Sequence, residues 1–187
     1  WTNPVNMGHK VNSAAWDSQP TLSSDARTLI FSSRRLGTLG GSDLFMTYRD
    51  AKNAWVHPFN LGPIINTVGD DESPFLHADG STLYFRSNNR PGMGKHDIYF
   101  SRKNDTTDLW QTPVNIGYPI NTEGDEGSLT VSLDGKHAYY ASDIGINTAQ
   151  RMNHLDIFTF ELYEGARPKP TTFIKGYVTD EVTGKPV

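Results

Sequence analysis

Apolar residues in this chain are grouped in short runs, separated by polar segments rich in Gly, Pro and Asn. The clearest run, Thr82–Ser87 (TLYFRS), follows the polar turn Ala78–Ser81 and precedes the Gly- and Pro-containing loop Asn88–Lys95. A run of this length between turn signals predicts a strand buried on both faces, whereas no stretch shows a convincing helical period. The surrounding pattern predicts a unit of four short strands, at Ser73–His77, Thr82–Ser87, Asp97–Lys103 and Leu109–Val114.

This unit is repeated along the chain. In each copy an Asp stands six residues before an aromatic residue and a second Asp follows after a loop, as in Asp25–Phe31–Asp43, Asp79–Phe85–Asp97 and Asp134–Tyr140–Asp156. A Trp-x-x-Pro-x-Asn-x-Gly motif begins at Trp1, Trp55 and Trp110, which lie 54 and 55 residues apart. A period of this size is typical of a repeat architecture.

Repeated units of four short strands with aromatic inner pairs predict an all-β fold made of β-propeller blades. Three blades lie in this chain, and Trp1–Val5 is predicted to be the fourth strand of a preceding blade. Because propellers close with about four to eight blades, we expect further blades upstream of Trp1. An open array exposes sheet edges, so the isolated chain is expected to fold poorly or to self-associate.

The third unit has predicted strands at Ser128–Leu133, Lys136–Ser142 and Leu155–Glu161, and then departs from the repeat. The sequence divides into a partial propeller (residues 1–166), an extended Pro-Lys-Pro linker (167–171) and the first strands of another domain (172–187). A strand is predicted at Phe173–Thr179, followed by a turn around Gly184. Two strands cannot hold a core alone, so this last domain is expected to be incomplete.

Two motifs carry a resemblance to known proteins. Ser73–Phe85 (Ser-Pro-Phe-x-x-x-Asp-Gly-x-x-Leu-Tyr-Phe) and Gly94–Tyr99 resemble the WD40-like (PD40) repeats of the TolB type. The connector Trp110–Glu126 resembles the propeller of Bacteroidota OmpA-family envelope proteins, which are similar to the PorE component of type IX secretion. Lys175–Val187 resembles the opening of a carboxypeptidase-regulatory-like β-sandwich, and the order of the two pieces matches these envelope proteins.

The resemblance implies a non-enzymatic scaffold of the bacterial periplasm, associated with the outer membrane. Its propeller would bind an envelope protein complex, and domains absent from this chain would bind peptidoglycan. The alternative is a propeller glycosidase, or the gating propeller of a peptidase whose catalytic domain lies elsewhere in the sequence. A pattern of α/β-hydrolase elements outside this chain would favour the enzyme.

Composition narrows the classes of function. A net charge of −4 and a pI near 5.8 argue against a nucleic-acid surface, and no apolar run approaches the length of a membrane span. The absence of cysteine excludes thiol catalysis and Cys-based zinc sites. Neither a Gly-x-Ser-x-Gly nucleophile motif nor a zinc-type histidine spacing is present. We therefore expect no catalytic residue, no metal and no cofactor, and the Trp start indicates a mature product or a fragment.

Residues that recur in every blade are predicted to be architectural. The Asp residues and the turn glycines are expected to form or cap turns, namely Asp25, Asp79, Gly80, Asp134, Gly135, Asp43, Asp97 and Asp156. Ala26 replaces glycine in the first of these turns and costs on the order of 1 kcal/mol if the backbone there is left-handed. The acidic connectors Gly69–Glu72 and Gly124–Glu126 are expected to form hydrogen bonds between blades, with a calcium or acid–base site as the alternative.

Function is expected where the blades differ, in the loops between their second and third strands. These loops, Arg34–Gly41, Asn88–Lys95 and Asp143–His154, should emerge on one face of the propeller. Arg is enriched at the energetic centres of protein interfaces. The predicted partner-binding residues are the basic ones, Arg34, Arg35, Arg90, Lys95, His96 and Arg151. The alternative is a loop face that is merely solvated.

Overall fold

The computed structural model describes residues 1–143, 155–172, 179–181, 183 and 185. Within them the chain is all-β, with three antiparallel sheets and one short 3₁₀ helix at Glu164–Ala166. No helix in these ranges is long and apolar enough to cross a membrane. We call the sheets blades 1, 2 and 3. In each blade the strands lie side by side in chain order, and we call the first strand the inner one.

Blades 1 and 2 have four strands each, and blade 3 has three in the described ranges. Blade 1 contains β1 (Asp17–Leu22), β2 (Thr28–Ser33), β3 (Asp43–Tyr48) and β4 (Phe59–Asn60). Blade 2 contains β5 (Asp71–Leu76), β6 (Thr82–Ser87), β7 (Asp97–Arg102) and β8 (Val114–Asn115). Blade 3 contains β9 (Glu126–Val131), β10 (His137–Ser142) and β11 (Asp156–Glu161), with β11 at the sheet edge.

The central strands agree with the sequence predictions, and the first and last strands differ. The strand predicted at Thr82–Ser87 is confirmed residue for residue, whereas β5 begins at Asp71, two residues earlier than predicted. The fourth strand predicted at Leu109–Val114 is wrong for most of its length, because β8 is only Val114–Asn115. Pro113 has no backbone N–H to donate to a neighbouring strand, which limits pairing before Val114.

Residues 1–7 contain no strand in this structure, and the role predicted for Trp1–Val5 as the outer strand of a preceding blade stays a prediction. A strand needs a hydrogen-bonded neighbour, and no described residue pairs with this segment. The Trp1 side chain is exposed accordingly (124% relative accessibility).

The turns after the inner strands share one backbone conformation. Gly80 (φ 67°), Gly135 (φ 72°) and Ala26 (φ 57°) all lie in the left-handed region. A Cβ atom there approaches the backbone, so that Ala26 carries a strain that the two glycines avoid. The turn of blade 1 therefore has the same backbone conformation as the turns of blades 2 and 3, but with backbone strain at Ala26.

We therefore expect Ala26→Gly to raise the free energy of unfolding, and Gly80→Ala to lower it, each by about 1 kcal/mol. Nothing lies within 4 Å of a Cβ built on Gly80, so backbone strain is the main effect of the second substitution. Urea denaturation of the two variants beside the parent measures both shifts. Shifts of the same sign would contradict the common turn conformation.

The core lies between the blades. Ile30 and Leu44 of blade 1 belong to one cluster with Leu83, Phe85 and Tyr99 of blade 2. A second cluster joins the opposite side of blade 2 to blade 3, and it includes Tyr84, Ile98, Phe100, Leu129, Val131 and Tyr140. Blade 2 thus buries two apolar faces, one against blade 1 and one against blade 3. Among the described residues, blades 1 and 3 each pack against one other blade.

The segment after β11 packs against blade 2. Arg102 donates hydrogen bonds to the carbonyl groups of Gly165 (2.9 Å) and Arg167 (2.7 Å), and the Tyr84 hydroxyl donates to that of Ala166 (2.6 Å). The backbone N–H of Lys169 donates to Asp79 Oδ2 (2.9 Å). The Pro-Lys-Pro linker is therefore attached to the second blade. Residues 173–178, which include most of the predicted strand of the following domain, and Gly184 of its turn lie outside the described residues.

Candidate functional site

The loops after β2 and β6 occupy equivalent places in blades 1 and 2. Each packs on the connector that leads to the next blade, since Gly41 N–H donates to the Gly69 carbonyl (2.8 Å) and Lys95 N–H to that of Gly124 (2.9 Å). We call their surface the loop face: residues 34–41 and 88–95, with the adjoining connector residues 68–70. The third predicted loop, residues 143–154, lies almost entirely outside the described residues, and Arg151 with it.

Arg35 was predicted to lie on this surface, and the structure places it in the interior. Its guanidinium group donates to Asp17 Oδ1 (2.6 Å) and to the Val11 carbonyl (2.9 Å). It also lies over the rings of Phe31 (4.8 Å) and Phe45 (5.2 Å). A guanidinium group can be buried where its donors are satisfied and its flat faces contact aromatic rings. The expected exposure of Arg35 is therefore wrong in this structure, and its predicted partner-binding role stays a prediction.

Arg90 has the equivalent role in blade 2. It lies over Phe85 (5.7 Å) and Tyr99 (5.9 Å) and donates to the carbonyl groups of Ile64 (3.0 Å) and Ile65 (2.7 Å). Its side chain is largely buried, and Asp71 lies 3.9 Å from its Nε atom. Arg90 thus joins the loop of blade 2 to the connector in front of that blade. Its side chain is only 13% exposed, and its predicted partner-binding role stays a prediction.

The other predicted partner-binding residues that the structure describes lie at or near the surface. The Arg34 side chain is 57% exposed; its guanidinium group lies over Trp16 and 3.7 Å from both Asp70 and Glu72. Lys95 is exposed, and His96 is partly buried with Nδ1 2.9 Å from Asp125 Oδ1. The loop face is therefore less basic than the sequence indicates. Arg35 and Arg90 point inwards, and the carboxylates of the acidic connectors lie close to Arg34 and His96.

The acidic connectors form hydrogen bonds between blades. Asp70 Oδ1 accepts from the Ser42 N–H (2.9 Å), and Glu72 Oε1 lies 2.6 Å from the Ser42 hydroxyl. The hydrogen bonds from Ser42 lower the pKa of Asp70. Burial alone would raise the pKa of Glu72, but the hydrogen bonds from Ser42 and Arg86 outweigh burial and lower the pKa of Glu72. The corresponding contact between blades 2 and 3 joins His96 to Asp125. In the described ranges no three His, Asp or Glu side chains form a metal-type cluster.

Two further carboxyl groups at the start of the inner strands are buried. Asp71 in β5 and Glu126 in β9 are fully inaccessible, and burial raises the pKa of each. A buried acid with a raised pKa can serve as a general acid where it meets a substrate. Neither group is accessible to solvent in this conformation, and Asp71 Oδ2 accepts hydrogen bonds from the Thr67 N–H (2.6 Å) and hydroxyl (2.8 Å).

The repeated Asp residues accept hydrogen bonds at their turns. Asp25 Oδ1 accepts from the Arg27 N–H (3.0 Å), Asp79 Oδ1 from the Ser81 N–H (2.9 Å), and Asp134 Oδ1 from the Lys136 N–H (3.0 Å), as expected of a residue that caps a turn. The strand-opening residues accept from the loop before them, where Asp43 Oδ2 bonds the Leu39 N–H (2.7 Å) and Asp97 Oδ2 the Met93 N–H (2.8 Å). Asp156 begins β11 and is exposed.

The sequence interpretation missed the apolar side chains of the loop face. Leu36 (102% relative accessibility) and Val68 (74%) are exposed, and Leu39 and Met93 are about half exposed. Leu39 and Val68 belong to adjoining segments, because Gly40 is packed directly against the Val68 backbone. The signal was present in the sequence, since Leu36, Leu39 and Met93 are apolar residues inside otherwise polar loops.

Comparison with solved structures identifies the fold. TolB from Acinetobacter baumannii matches with a TM-score of 0.50 and 12% identity, over 77% of this chain and 29% of that protein. The putative TolB from Agrobacterium tumefaciens matches with a TM-score of 0.53 and 14% identity, over 83% and 48%. Both are TolB-type propellers. The chain folds as part of a β-propeller.

Other comparisons add nothing on function. The α-L-arabinofuranosidase from Lactobacillus brevis matches 79% of the chain at 12% identity, and its TM-score of 0.47 is too low to support an argument. No protein-family model and no curated protein matches the sequence. The chain spans less than half of each TolB structure, so the likeness concerns the propeller architecture alone.

A shallow groove crosses the inner strands of the propeller blades. It has a volume of about 320 Å³ and is lined by Gln19–Thr21 of β1, Ser73–Phe75 of β5 and Ser128–Leu129 of β9. Gln19 (φ 53°) and Ser73 (φ 52°) have left-handed backbones just before a proline, where β1 and β5 are irregularly paired. The groove is a concave surface separate from the loop face, and its lining carries no ionisable side chain.

Proposed function

We propose that this chain is a non-enzymatic protein-interaction module and that the loop face is its partner-binding surface. The observation that carries the proposal is the set of exposed apolar side chains on that face, Leu36, Leu39, Val68 and Met93. Exposed apolar side chains grouped on one surface are typical of protein-interaction sites. The rigid sheets beneath hold the loops in place before a partner arrives.

The charged side chains of the loop face are placed to form the polar rim of an interface whose centre is apolar. Arg34 and Lys95 are exposed, while Asp70 lies close to Arg34 and reduces the local positive charge. Interfaces of this kind obtain most of their affinity from the desolvated centre, and charges at the rim mainly affect association rate and selectivity. The partner is therefore expected to present an apolar patch flanked by acidic groups.

The wider role in this proposal is that of a scaffold in the bacterial envelope. The TolB-type fold and the resemblance to OmpA-family envelope proteins support a periplasmic location with outer-membrane association. In this role the propeller holds an envelope protein complex, such as a type IX secretion complex, and peptidoglycan is bound only through domains absent from this chain. The carboxypeptidase-regulatory-like segment after residue 171 would connect the two.

The double substitution Leu36→Glu with Met93→Glu tests the partner surface. We expect it to weaken capture of an envelope protein at least about tenfold, because each glutamate places a charge where an apolar contact is desolvated. Capture is measured by pull-down from an envelope fraction and then with the purified partner. The fold is expected to survive, since exposed substitutions usually shift stability by no more than about 0.5 kcal/mol.

Leu109→Glu is the matched control, because Leu109 is an exposed leucine remote from the loop face, between β7 and β8. It should leave capture unchanged. Equal capture by the parent and the double variant would show that the loop face is not the partner-binding surface. The groove of the inner strands would then be the next candidate. Turnover of a glycan or peptide substrate by the purified protein, lost in the double variant, would show that the module is an enzyme instead.

A further inference from the structure

The segment that follows β11 fills a cleft between blades 2 and 3, at the end of the blades where their turns lie. Ala166 and Pro168 are buried there, and the Gly135 turn of blade 3 packs directly against the ring of Pro168. The backbone of Arg167 is extended (φ −67°, ψ 135°), close to the polyproline II conformation. An extended, proline-containing peptide is thus held between two blades, and we call its site the filled cleft.

Three positions of the filled cleft anchor this segment. The Tyr84 hydroxyl donates to the Ala166 carbonyl (2.6 Å), and Asp79 Oδ2 accepts from the Lys169 N–H (2.9 Å). The third anchor is the proline contact at Gly135. The anchors therefore come from the second strand and the turn of blade 2 and from the turn of blade 3.

Blades 1 and 2 form an equivalent cleft that is open among the described residues. The repeat supplies a residue at each anchor position, namely Ile30 for Tyr84, Asp25 for Asp79 and Gly80 for Gly135. All three line a cavity of about 230 Å³, together with Thr28, Met46, Lys103 and Trp110 among others. A Cβ atom built on Gly80 meets nothing within 4 Å, whereas one on Gly135 meets the proline ring at 2.9 Å. We call this site the open cleft.

The turn of blade 1 offers the same hydrogen-bond acceptor as the turn of blade 2. Asp25 Oδ1 accepts from the Ser23 hydroxyl (2.5 Å) and the Arg27 N–H (3.0 Å), which holds the turn. Asp25 is exposed. Its second carboxylate oxygen can therefore accept from the N–H group of a bound peptide, as Asp79 Oδ2 does in the filled cleft.

An aromatic pair lies at the edge of the open cleft. Tyr48 has the position of Arg102, which donates to the carbonyl groups of Gly165 (2.9 Å) and Arg167 (2.7 Å) in the filled cleft. The Tyr48 ring is about half exposed and contacts the ring of Phe59 edge to face (6.4 Å between centroids). Aromatic side chains with a hydroxyl donor are typical of grooves that bind polyproline II peptides.

We propose that the open cleft binds an extended, proline-containing segment of another protein, in the place that residues 166–169 take in the filled cleft. A peptide N–H group donates to Asp25, a proline ring packs against Gly80, and a peptide carbonyl group accepts from Tyr48. Proline suits this site because it has no N–H group that burial would leave without an acceptor.

The contact between the turns of blades 1 and 2 limits the length of the bound peptide. The Ser24 hydroxyl donates to the Ala78 carbonyl (3.2 Å). At the equivalent place in the filled cleft, Thr171 of the segment itself donates to the Leu133 carbonyl (3.3 Å). Because Ser24 already makes this contact in the open cleft, the bound peptide does not extend to the place of Thr171.

Charge also distinguishes the two clefts. The Lys169 ammonium group pairs with Asp105 at the edge of the filled cleft. In blade 1 the position of Asp105 is taken by Ala51, which Lys52 follows. A basic residue at that point of the peptide has no carboxylate partner, so an uncharged residue is expected there.

The open cleft is separate from the loop face. β2 and β6 begin at the turns that line the cleft and end at the loops of the loop face, so the two sites lie at opposite ends of the strands. A peptide in the cleft therefore does not compete with a partner on the loop face, and the proposal does not depend on that surface.

Two fluorescein-labelled hexapeptides with blocked ends test the site, Ala-Gln-Pro-Gln-Pro-Thr and Ala-Gln-Ala-Gln-Ala-Thr. The first keeps the prolines of residues 166–171 and replaces the basic residues by glutamine. Titration with the protein should raise the fluorescence anisotropy of the first peptide, with half-saturation below about 1 mM. The second should bind at least about fivefold more weakly, because it lacks the preformed polyproline II conformation. Equal binding of the two peptides, or binding of neither, would overturn the proposal.

Asp25→Asn tests where the peptide binds. The asparagine keeps an oxygen for the turn but presents an N–H donor to the peptide, so the affinity should fall at least about tenfold with an unchanged circular dichroism spectrum. Asp134→Asn is the matched control, because Asp134 accepts from Ser132 and Lys136 in the equivalent turn of blade 3. It should leave the affinity unchanged.

Tyr48→Ala tests the aromatic edge without altering a turn. Tyr48 is about half exposed, so the variant should fold as the parent does and bind the proline peptide at least about threefold more weakly. Affinity unchanged by both Asp25→Asn and Tyr48→Ala would show that the peptide binds elsewhere on the protein, and the open cleft would then not be the site.

Discussion

Replacing Arg90 by alanine is expected to lower the free energy of unfolding by about 3 kcal/mol. The substitution removes donors from the carbonyl groups of Ile64 and Ile65, and it removes the cation nearest to the buried Asp71. It also opens a space beside the rings of Phe85 and Tyr99, where the guanidinium group now lies. The urea midpoint of the variant measures the loss.

Arg34→Ala is the control for this effect. The Arg34 side chain is more than half exposed and its ion pairs are long, so its removal should cost less than about 1 kcal/mol. Equal unfolding midpoints for the Arg90 variant and the parent would contradict the structural role and make Arg90 a candidate for partner contact again.

The two buried arginines show what the sequence could have revealed. Arg35 lies four residues after Phe31 and Arg90 five residues after Phe85, in loops of equal length. Recurrence in two blades indicates an architectural role, by the same argument that assigns the repeated Asp residues to turns. The residue type suggested a solvent-exposed loop tip instead, because contact with two aromatic rings depends on how the loop folds back.

Local signals predicted the centre of each blade better than its edges. The turn at Asp79-Gly80 fixes where β6 begins, and that strand was predicted without error. β5 was placed two residues late because Asp71 and Glu72 look like loop residues, although both are buried where blade 1 meets blade 2. The Glu72 carboxylate accepts from the Ser42 hydroxyl, thirty residues away, and a local sequence pattern does not reveal such a contact.

The exposure of apolar loop residues could not be predicted from the sequence. The sequence shows that Leu36 and Met93 are apolar, but not whether the loop turns them inwards or outwards. The structure turns Arg35 and Arg90 inwards and leaves Leu36 and Met93 exposed, which reverses the expected composition of the loop face. Exposure of a loop side chain depends on packing between blades, and that packing is a long-range property.

Asp79→Ala is expected to lower the free energy of unfolding at pH 7 by about 2–3 kcal/mol. Asp79 caps its turn through the N–H groups of Ser81 (2.9 Å) and Thr82 (2.8 Å), and it also accepts from the Lys169 N–H (2.9 Å). Its carboxylate therefore stabilises both the turn of blade 2 and the attachment of the segment that follows blade 3. Asp134 caps the equivalent turn in blade 3 from an exposed position, so Asp134→Ala should cost less.

The pH dependence distinguishes loss of the Asp79 charge from loss of packing. Burial opposes ionisation of Asp79, but its contacts with His77, Thr82 and Ser81 outweigh burial and hold its pKa well below the ordinary value of 3.8. A lowered pKa in the folded state contributes stability that is complete above the unfolded pKa and is lost as the pH falls below it. The difference in unfolding free energy between the parent and Asp79→Ala should therefore narrow between pH 5 and pH 3. A constant difference over that range would show that the carboxylate acts by its shape and not by its charge.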